Sequence, residues 1–328
     1  MLVSIIIPFH ANLGQLQQSL AAARRSMPEA EILIAADGAR EDCRPLATSH
    51  GARVIDVEGP SGPATARNRA AALATGEILV FVDADVVPAP DALPGLCRLL
   101  SEESGLAGVF GAYDLTPPEP NFMSQFKNLS HARVHEVGSG EASTFWAGLG
   151  AMRTSVFRSV DGFDERYRRP SVEDIDLGYR VVAAGHRLRL DPRFRGTHLK
   201  RWTLASIVTT DVVARGIPWV QLMGRYGVPR NQLNLSVALR LSVVCAYLLV
   251  IALVLLPVTR WSLLLAVAAL LALVGLNLDF YRWFARQRGW LFAARVVPAH
   301  LVHHLCNGLS FAIGSIAAPW FRLRHRPS

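Results

Sequence analysis

The chain of 328 residues is 51% hydrophobic and carries 34 Lys+Arg against 26 Asp+Glu, a formal charge of +8 at pH 7. Up to Leu235 the charges balance, 25 basic against 25 acidic, while from Ser236 onward there are nine Arg, no Lys and a single acid, Asp279. Positive charge confined to the tail excludes a general nucleic-acid footprint, which spreads a basic face over a folded domain, and points to an anionic membrane surface.

The amino terminus, MLVSIIIPFH, has no basic segment ahead of its apolar run, so no secretory signal is expected and the first domain is expected in the cytoplasm. Val3 to Phe9 predicts a first strand, Leu13 to Ser26 a helix, Glu31 to Ala36 a second strand and Arg53 to Val57 a third. Ala64 to Ala74 predicts an alanine-rich helix, followed by a strand over Ile78 to Val82. That last run is apolar without alternation, as in a strand buried on both faces. This βαβ rhythm predicts an α/β fold with a mainly parallel sheet covered by helices, and ligands at the carboxyl ends of its strands.

Those ends carry the polar groups. Strand one stops at Pro8-Phe9-His10, strand two at Asp37-Gly38, and the strand over 78–82 at Asp83-Ala84-Asp85. Two carboxylates converging at a sheet edge repel unless a cation lies between them, and a hard divalent ion, Mg²⁺ or Mn²⁺, suits oxygen ligands. Two solvated aspartates in a loop are the alternative for Asp83 and Asp85 taken alone. No dinucleotide fingerprint follows strand one and no Gly-Lys-Ser/Thr phosphate loop occurs. Gly59 to Ala64 instead leads into a helix bearing Arg67, Asn68 and Arg69, which suits a diphosphate or, equally, a solvated basic face.

Four cysteines, Cys43, Cys97, Cys245 and Cys306, have no metal-site spacing and are expected to be packing residues in a reducing compartment. Residues 203–235 mix Ile207, Val208, Val212, Val213, Trp219 and Leu222 with Arg215, Arg225 and Arg230, a pattern of interfacial amphipathic helices. Leu241 to Thr259 holds 19 residues without a charge and Trp261 to Leu278 another 18, so 236–279 reads as a transmembrane hairpin. Residues 280–328 hold the uncharged stretch Val296 to Phe321 between arginine clusters on both sides. A positive-inside bias then favours an interfacial or re-entrant segment over a third span. His300, His303 and His304 have helical spacing; a polar face is expected, with a metal site as the alternative.

Over roughly the first 200 residues the ordered set of motifs resembles family 2 glycosyltransferases, inverting enzymes of the GT-A fold. SIIIPFHAN resembles the opening strand and nucleotide-binding turn, AADG the base-contacting aspartate, and GPSGPATARNRAA the segment before the metal strand. VFVDADVVP resembles the metal motif, FWAGLGAMRTSVFRSVDGFDERY the acceptor-side strand and turn, and VEDIDLGYR the catalytic-base helix. The resemblance implies a GT-A domain over 1–202 and a membrane-anchored enzyme of cell-envelope glycan or glycolipid synthesis. Its partners would be a nucleoside diphosphate sugar donor and a lipid-linked acceptor.

Carried onto this chain, the resemblance implies Asp174 as catalytic base. Donor binding falls to Pro8, His10, Asp37, Arg67, Asp83, Lys200 and Arg201; the metal, Mg²⁺ or Mn²⁺, to Asp83, Asp85 and His198; and the acceptor to Trp146, Gly148, Glu173 and Trp202. On a helix Glu173 and Asp174 diverge by about 100°, so only one faces the acceptor, and Asp176 with Arg180 makes an i, i+4 pair. His198 stands where processive and ceramide-type relatives carry Gln or Arg, and Val86-Val87 where polyprenyl-phosphate sugar synthases carry Leu-Gln. The expectation is therefore transfer of a single sugar, with a polyprenyl-phosphate sugar synthase, or an inactive membrane scaffold of the same fold, as alternatives.

Overall fold

The structure is a computed structural model that describes residues 2–226 and 236–324. It divides into two compact units, Met1–Arg201 and Trp202–Ser328. The 227–235 part of the expected interfacial segment, with Arg230, and Arg326 of the last arginine cluster lie outside the described residues.

In the first unit the chain runs β1 (Val3–Phe9), α1 (Leu13–Ser26), β2 (Glu31–Asp37), α2 (Arg44–Ser49), β3 (Arg53–Val57), α3 (Pro63–Leu73) and β4 (Ile78–Val82). It continues through β5 (Val86–Pro88), α4 (Ala92–Glu102), β6 (Leu106–Tyr113), α5 (Phe122–Val137), β7 (Gly140–Ala142), β8 (Leu149–Arg153), α6 (Thr154–Ser159), α7 (Glu173–Ala183) and β9 (Arg187–His198). The strands form one sheet in the order β3-β2-β1-β4-β8-β6-β9-β5, with β7 beside β9. Ile5, Ile6 and Ile7 of β1 and all five residues of β4 are buried, as unalternating apolar strands covered on both faces must be.

The expected mainly parallel sheet holds only for β3, β2, β1 and β4. Beyond β4 the sheet is mixed: β8 runs antiparallel to both β4 and β6, β9 runs parallel to β6, and β5 antiparallel to β9. Apolar periodicity reports which faces of a strand are buried; it carries no information on a neighbour's direction.

The second unit is helical: α8 (Leu204–Thr209), a π-helical segment Thr210–Gly216, α9 (Ile217–Tyr226), α10 (Val237–Val254), α11 (Trp261–Leu276), α12 (Leu278–Arg288) and α13 (Trp290–Arg324). α10 and α11 pack along a seam of Leu249, Ala252, Ala266 and Ala269, against which Leu301 lies; small residues there let two helix backbones approach closely. Their outer faces expose Leu241, Val244, Ile251, Val254, Leu264 and Leu271.

By length and composition, one helix among the described residues, α10, is long and apolar enough to cross a membrane; α11 qualifies only joined to α12 across a bend of 66°. The expected hairpin thus becomes one candidate span and one bent pair. α13 continues as a single helix of 35 residues through the stretch expected to be re-entrant. Pro298 lies inside it, a placement tolerated where neighbouring helices satisfy the freed carbonyl. His300 and His304 are buried within this unit, and His303 Nδ1 lies 3.0 Å from Asp211 Oδ2.

Candidate active site

The turn after β4 is fixed by backbone bonds. Asp83 N–H donates to Gly148 O at 3.1 Å and Val86 N–H to Asp83 O at 3.0 Å, so the chain reverses sharply between the two aspartates. β5 then pairs antiparallel with the end of β9, Val86 opposite His198, and Leu199 N–H closes on Asp85 O at 2.8 Å. Residues 113 positions apart in sequence thereby meet: His198 Nε2 lies 3.3 Å from Asp85 Oδ2. The imidazole is only 5% exposed. It stacks on Tyr113 at 4.5 Å with the rings 7° from parallel, and Nδ1 lies 2.7 Å from Asn128 Oδ1. Burial works to raise the Asp85 carboxyl, but the hydrogen bond and charge of His198, with the charge of Lys200, outweigh it and hold the group below its ordinary value.

Asp83 turns to a different partner. Arg67, on the buried side of α3 and only 4% exposed, donates from Nη2 to Asp83 Oδ1 at 2.6 Å and from Nη1 to Glu173 Oε1 at 3.0 Å. One guanidinium thus bridges the end of β4 to the first residue of α7. The resemblance placed Arg67 at the donor and Glu173 at the acceptor; in the structure both are buried and bound to each other. Burial pushes the Asp83 carboxyl up, and the nearby Asp85 and Glu173 charges add to that against the opposing pull of Arg67.

At the start of α7, Ser171 N–H donates to Glu173 Oε2 at 2.9 Å. Asp174, half-buried, accepts from Ile175 N–H at 2.8 Å and more distantly from Ala147 N–H at 3.4 Å. The two acids therefore part as the helical angle demands, Glu173 inward and Asp174 toward the turn before β8 that bears Trp146 and Gly148. The pair Asp176–Arg180 forms at 2.8 Å. Trp146 is buried edge-on to Tyr113 at 4.7 Å. Gly148 makes room for it, since a Cβ there would lie 2.5 Å from the indole. Gly178 is equally constrained: a Cβ would meet Phe145 N at 2.4 Å and the Thr144 backbone at 2.5 Å. Backbone cannot yield as a side-chain tip can, so Gly178→Ala is expected to lower unfolding stability by about 1–3 kcal/mol, measured by denaturant titration of the purified protein.

Asp37 is buried at the end of β2, and its carboxylate accepts from Ser61 N–H at 2.6 Å and Gly62 N–H at 2.8 Å. It clamps the loop that opens α3. His10 Nδ1 lies 2.8 Å from Asp37 O, and Pro8 is half-buried beside it in sequence. A cleft of about 940 Å³ opens on this loop, lined by Val57, Pro60, Ser61, Thr65, Arg69 and Arg168 among others. Neither Asp83 nor Asp85 lines it, so this cleft lies apart from the paired carboxylates. Lys200 and Arg201 are exposed just beyond His198, and Trp202 is buried at the start of the second unit.

The expected metal triad of Asp83, Asp85 and His198 does not close. Among the described residues no three His, Cys, Asp or Glu side chains converge as a ligand group, at this place or at His300, His303 and His304. At the first place one oxygen of Asp83, Oδ1, is taken by Arg67 Nη2 at 2.6 Å. Asp85 and His198 still fit a divalent cation. Two ligands of one ion, each about 2.1 Å from it and near a right angle, lie about 3 Å apart, and such ions commonly take one or two protein groups with substrate phosphate and water completing the shell. Asn128 and Tyr113 were not legible as site residues. Neither lies in a motif, and only the register of β9 against β5 brings His198 to them.

Residues 4–161 match the family model described as glycosyl transferase family 2. The chain is 27% identical over 214 residues to the pre-mycofactocin glycosyltransferase of Mycobacterium tuberculosis, covering 58% of this chain and 41% of that one. It is 25% identical over 219 residues to the validoxylamine A glucosyltransferase of Streptomyces hygroscopicus, covering 56% and 52%. The chain thus spans about half the length of the curated relatives it matches. Its fold is similar to that of a mannosyltransferase from Pyrobaculum calidifontis solved with GDP-Man and Mn²⁺, with a TM-score of 0.58 at 18% identity over 98% of this chain and 87% of that one.

Proposed function

We propose, from the premise that residues 4–161 belong to glycosyl transferase family 2 and adopt the GT-A fold, that this glycosyltransferase moves one sugar with inversion. The donor is a nucleoside diphosphate sugar and the acceptor a hydroxyl of a lipid-linked or membrane-presented molecule. The observation that carries the reading is the strand-end cluster. Asp85 faces His198 at 3.3 Å, while Arg67 ties Asp83 to the first turn of α7, which bears Asp174.

In this reading Asp85 and His198 hold Mg²⁺ or Mn²⁺. A bound cation neutralises the charge that grows on the leaving nucleoside diphosphate as the sugar carbon becomes oxocarbenium-like. The similar fold solved with GDP-Man and Mn²⁺ supports that choice of ion. Asp37 orders the loop against which the nucleoside lies, and the exposed Lys200 and Arg201 attract the diphosphate. Asp174 accepts the proton of the acceptor hydroxyl as its oxygen bonds to the anomeric carbon and the carbon–phosphate-oxygen bond breaks. Glu173, locked on Arg67, orients α7. Trp146 and Gly148 line the acceptor side. The apolar outer faces of α10 and α11 and the arginine-rich tail support anchoring at an anionic membrane, with the domain on the cytoplasmic side.

The test is donor turnover. Detergent-purified protein, given a panel of nucleotide sugars, is expected to hydrolyse one of them slowly in the presence of Mn²⁺ and not in EDTA. Folded protein that neither binds nor turns over any donor overturns the reading. Within it, Asp174→Asn is expected to keep donor affinity, followed by calorimetry, while transfer falls about 10²-fold or more; equal loss of both assigns Asp174 a structural role.

A further inference from the structure

We propose that Asn128 is a positioning residue for His198: its side-chain carbonyl holds the imidazole in the Nδ1-protonated form, so that Nε2 presents a lone pair toward Asp85 as a ligand for the divalent cation. Only the identity of the occupant rests on the function proposed above. The geometry stands on its own residues.

Asn128 lies on the buried face of α5, 1% exposed, and its Oδ1 is 2.7 Å from His198 Nδ1. A carbonyl oxygen only accepts, so Nδ1 must carry the proton. In a neutral ring Nε2 is then the bare nitrogen. It lies 3.3 Å from Asp85 Oδ2. A proton on Nε2, which makes the ring an imidazolium that donates to Asp85, satisfies that contact in the metal-free site, and a divalent cation would take that proton's place on the same lone pair. The ring has no easy way to turn over, since Tyr113 stacks on one face at 4.5 Å and the residue sits in the β5–β9 ladder. Solvent offers no substitute partner, because both side chains are buried.

Asn128 Nδ2, also buried, has no hydrogen-bond partner among the described residues. An unmatched buried amide nitrogen is unfavourable by about 1–3 kcal/mol, a cost that packing alone would not explain at a position a leucine could fill. Metal-bound histidines commonly donate their other N–H to a carbonyl or carboxylate, and loss of that partner typically lowers metal affinity 10–100-fold. Asn128 has the position and chemistry for that part.

The experiment uses the full chain, with Asn128→Leu removing the acceptor and Asn128→Asp keeping it. Two readouts are taken: the ¹⁵N signals of the His198 ring in metal-free protein at pH 8, assigned by their loss in His198→Gln, and Mn²⁺ binding without donor, followed by EPR. Wild type is expected to show Nδ1–H. Asn128→Leu is expected to shift the ring toward Nε2–H and to bind Mn²⁺ about 10–100-fold more weakly, whereas Asn128→Asp holds the tautomer and binds Mn²⁺ at least as well. A wild-type ring protonated at Nε2 alone overturns the proposal, as does a folded Asn128→Leu with unchanged tautomer and affinity. If Asn128→Leu does not fold, the wild-type ring and Asn128→Asp decide. Wild type that binds no Mn²⁺ sinks the metal reading of the function, and the ring signals still decide on Asn128.

Discussion

Asp85→Asn is expected to lower kcat/KM for sugar transfer by roughly 10³-fold, about 4 kcal/mol of transition-state stabilisation, and to raise the Mn²⁺ concentration needed for half-maximal rate by at least about tenfold. The reason is local. Asp85 is the anionic member of a pair whose other member, His198, brings no negative charge, and Asp83 is already engaged by Arg67 at 2.6 Å. Among the described residues no third His, Cys, Asp or Glu completes a ligand group with it. The substitution preserves shape, so folding should be unchanged and the loss should fall on cation binding and on the chemical step. Initial rates over a Mn²⁺ titration, with thermal melting as the control for folding, check this. A variant whose rate falls with unchanged Mn²⁺ dependence removes Asp85 from the cation site.

Arg67→Met is expected to act on folding. The guanidinium is 4% exposed and neutralises two carboxylates, Asp83 at 2.6 Å and Glu173 at 3.0 Å. Removing it strands buried negative charge, and breaking a buried pair from one side typically destabilises by about 3–5 kcal/mol. The deficit should depend on pH in a defined direction. Asp83 already lies above its ordinary value through burial, and loss of Arg67 pushes it further up, so the folded variant binds more protons than the unfolded chain. Stability then rises as pH falls through the raised folded value, and the gap to wild type narrows in acid. Denaturant midpoints at pH 5 and pH 8 measure it; a gap that widens in acid contradicts the bridge. Asp83→Asn combined with Arg67→Met should recover part of the loss, because it removes one of the stranded charges.

Much of the site was legible because motif residues cluster at strand ends. Strand-ending acids announce themselves: an apolar run cannot continue through Asp83 and Asp85, and the α/β rhythm assigns that end to ligands. The divergence of Glu173 and Asp174 followed from helical geometry alone, and the Asp176–Arg180 pair formed as its spacing requires. What was not legible depends on contacts between distant segments. Arg67 read as a phosphate ligand because a basic helix start looks the same whether its charge faces solvent or two buried acids. Asn128 read as nothing, since a single amide in a mixed helix gives no signal until β9 lays His198 against it.

Residue order alone set the strand and helix periods, the balanced amino-terminal charge, the acids at the strand ends and the apolar, arginine-flanked tail. These properties are written in residue order, because they depend on neighbours at most a few positions away. The tertiary structure alone decided the mixed direction of the sheet, the pairing of Asp85 with His198 and the commitment of Asp83 to Arg67. It also decided the unbroken course of α13. The physical reason is the same in each case: direction, partner choice and burial of a charge are set by which surfaces meet across long stretches of chain, and a one-dimensional pattern fixes the face a residue presents but not what that face will touch.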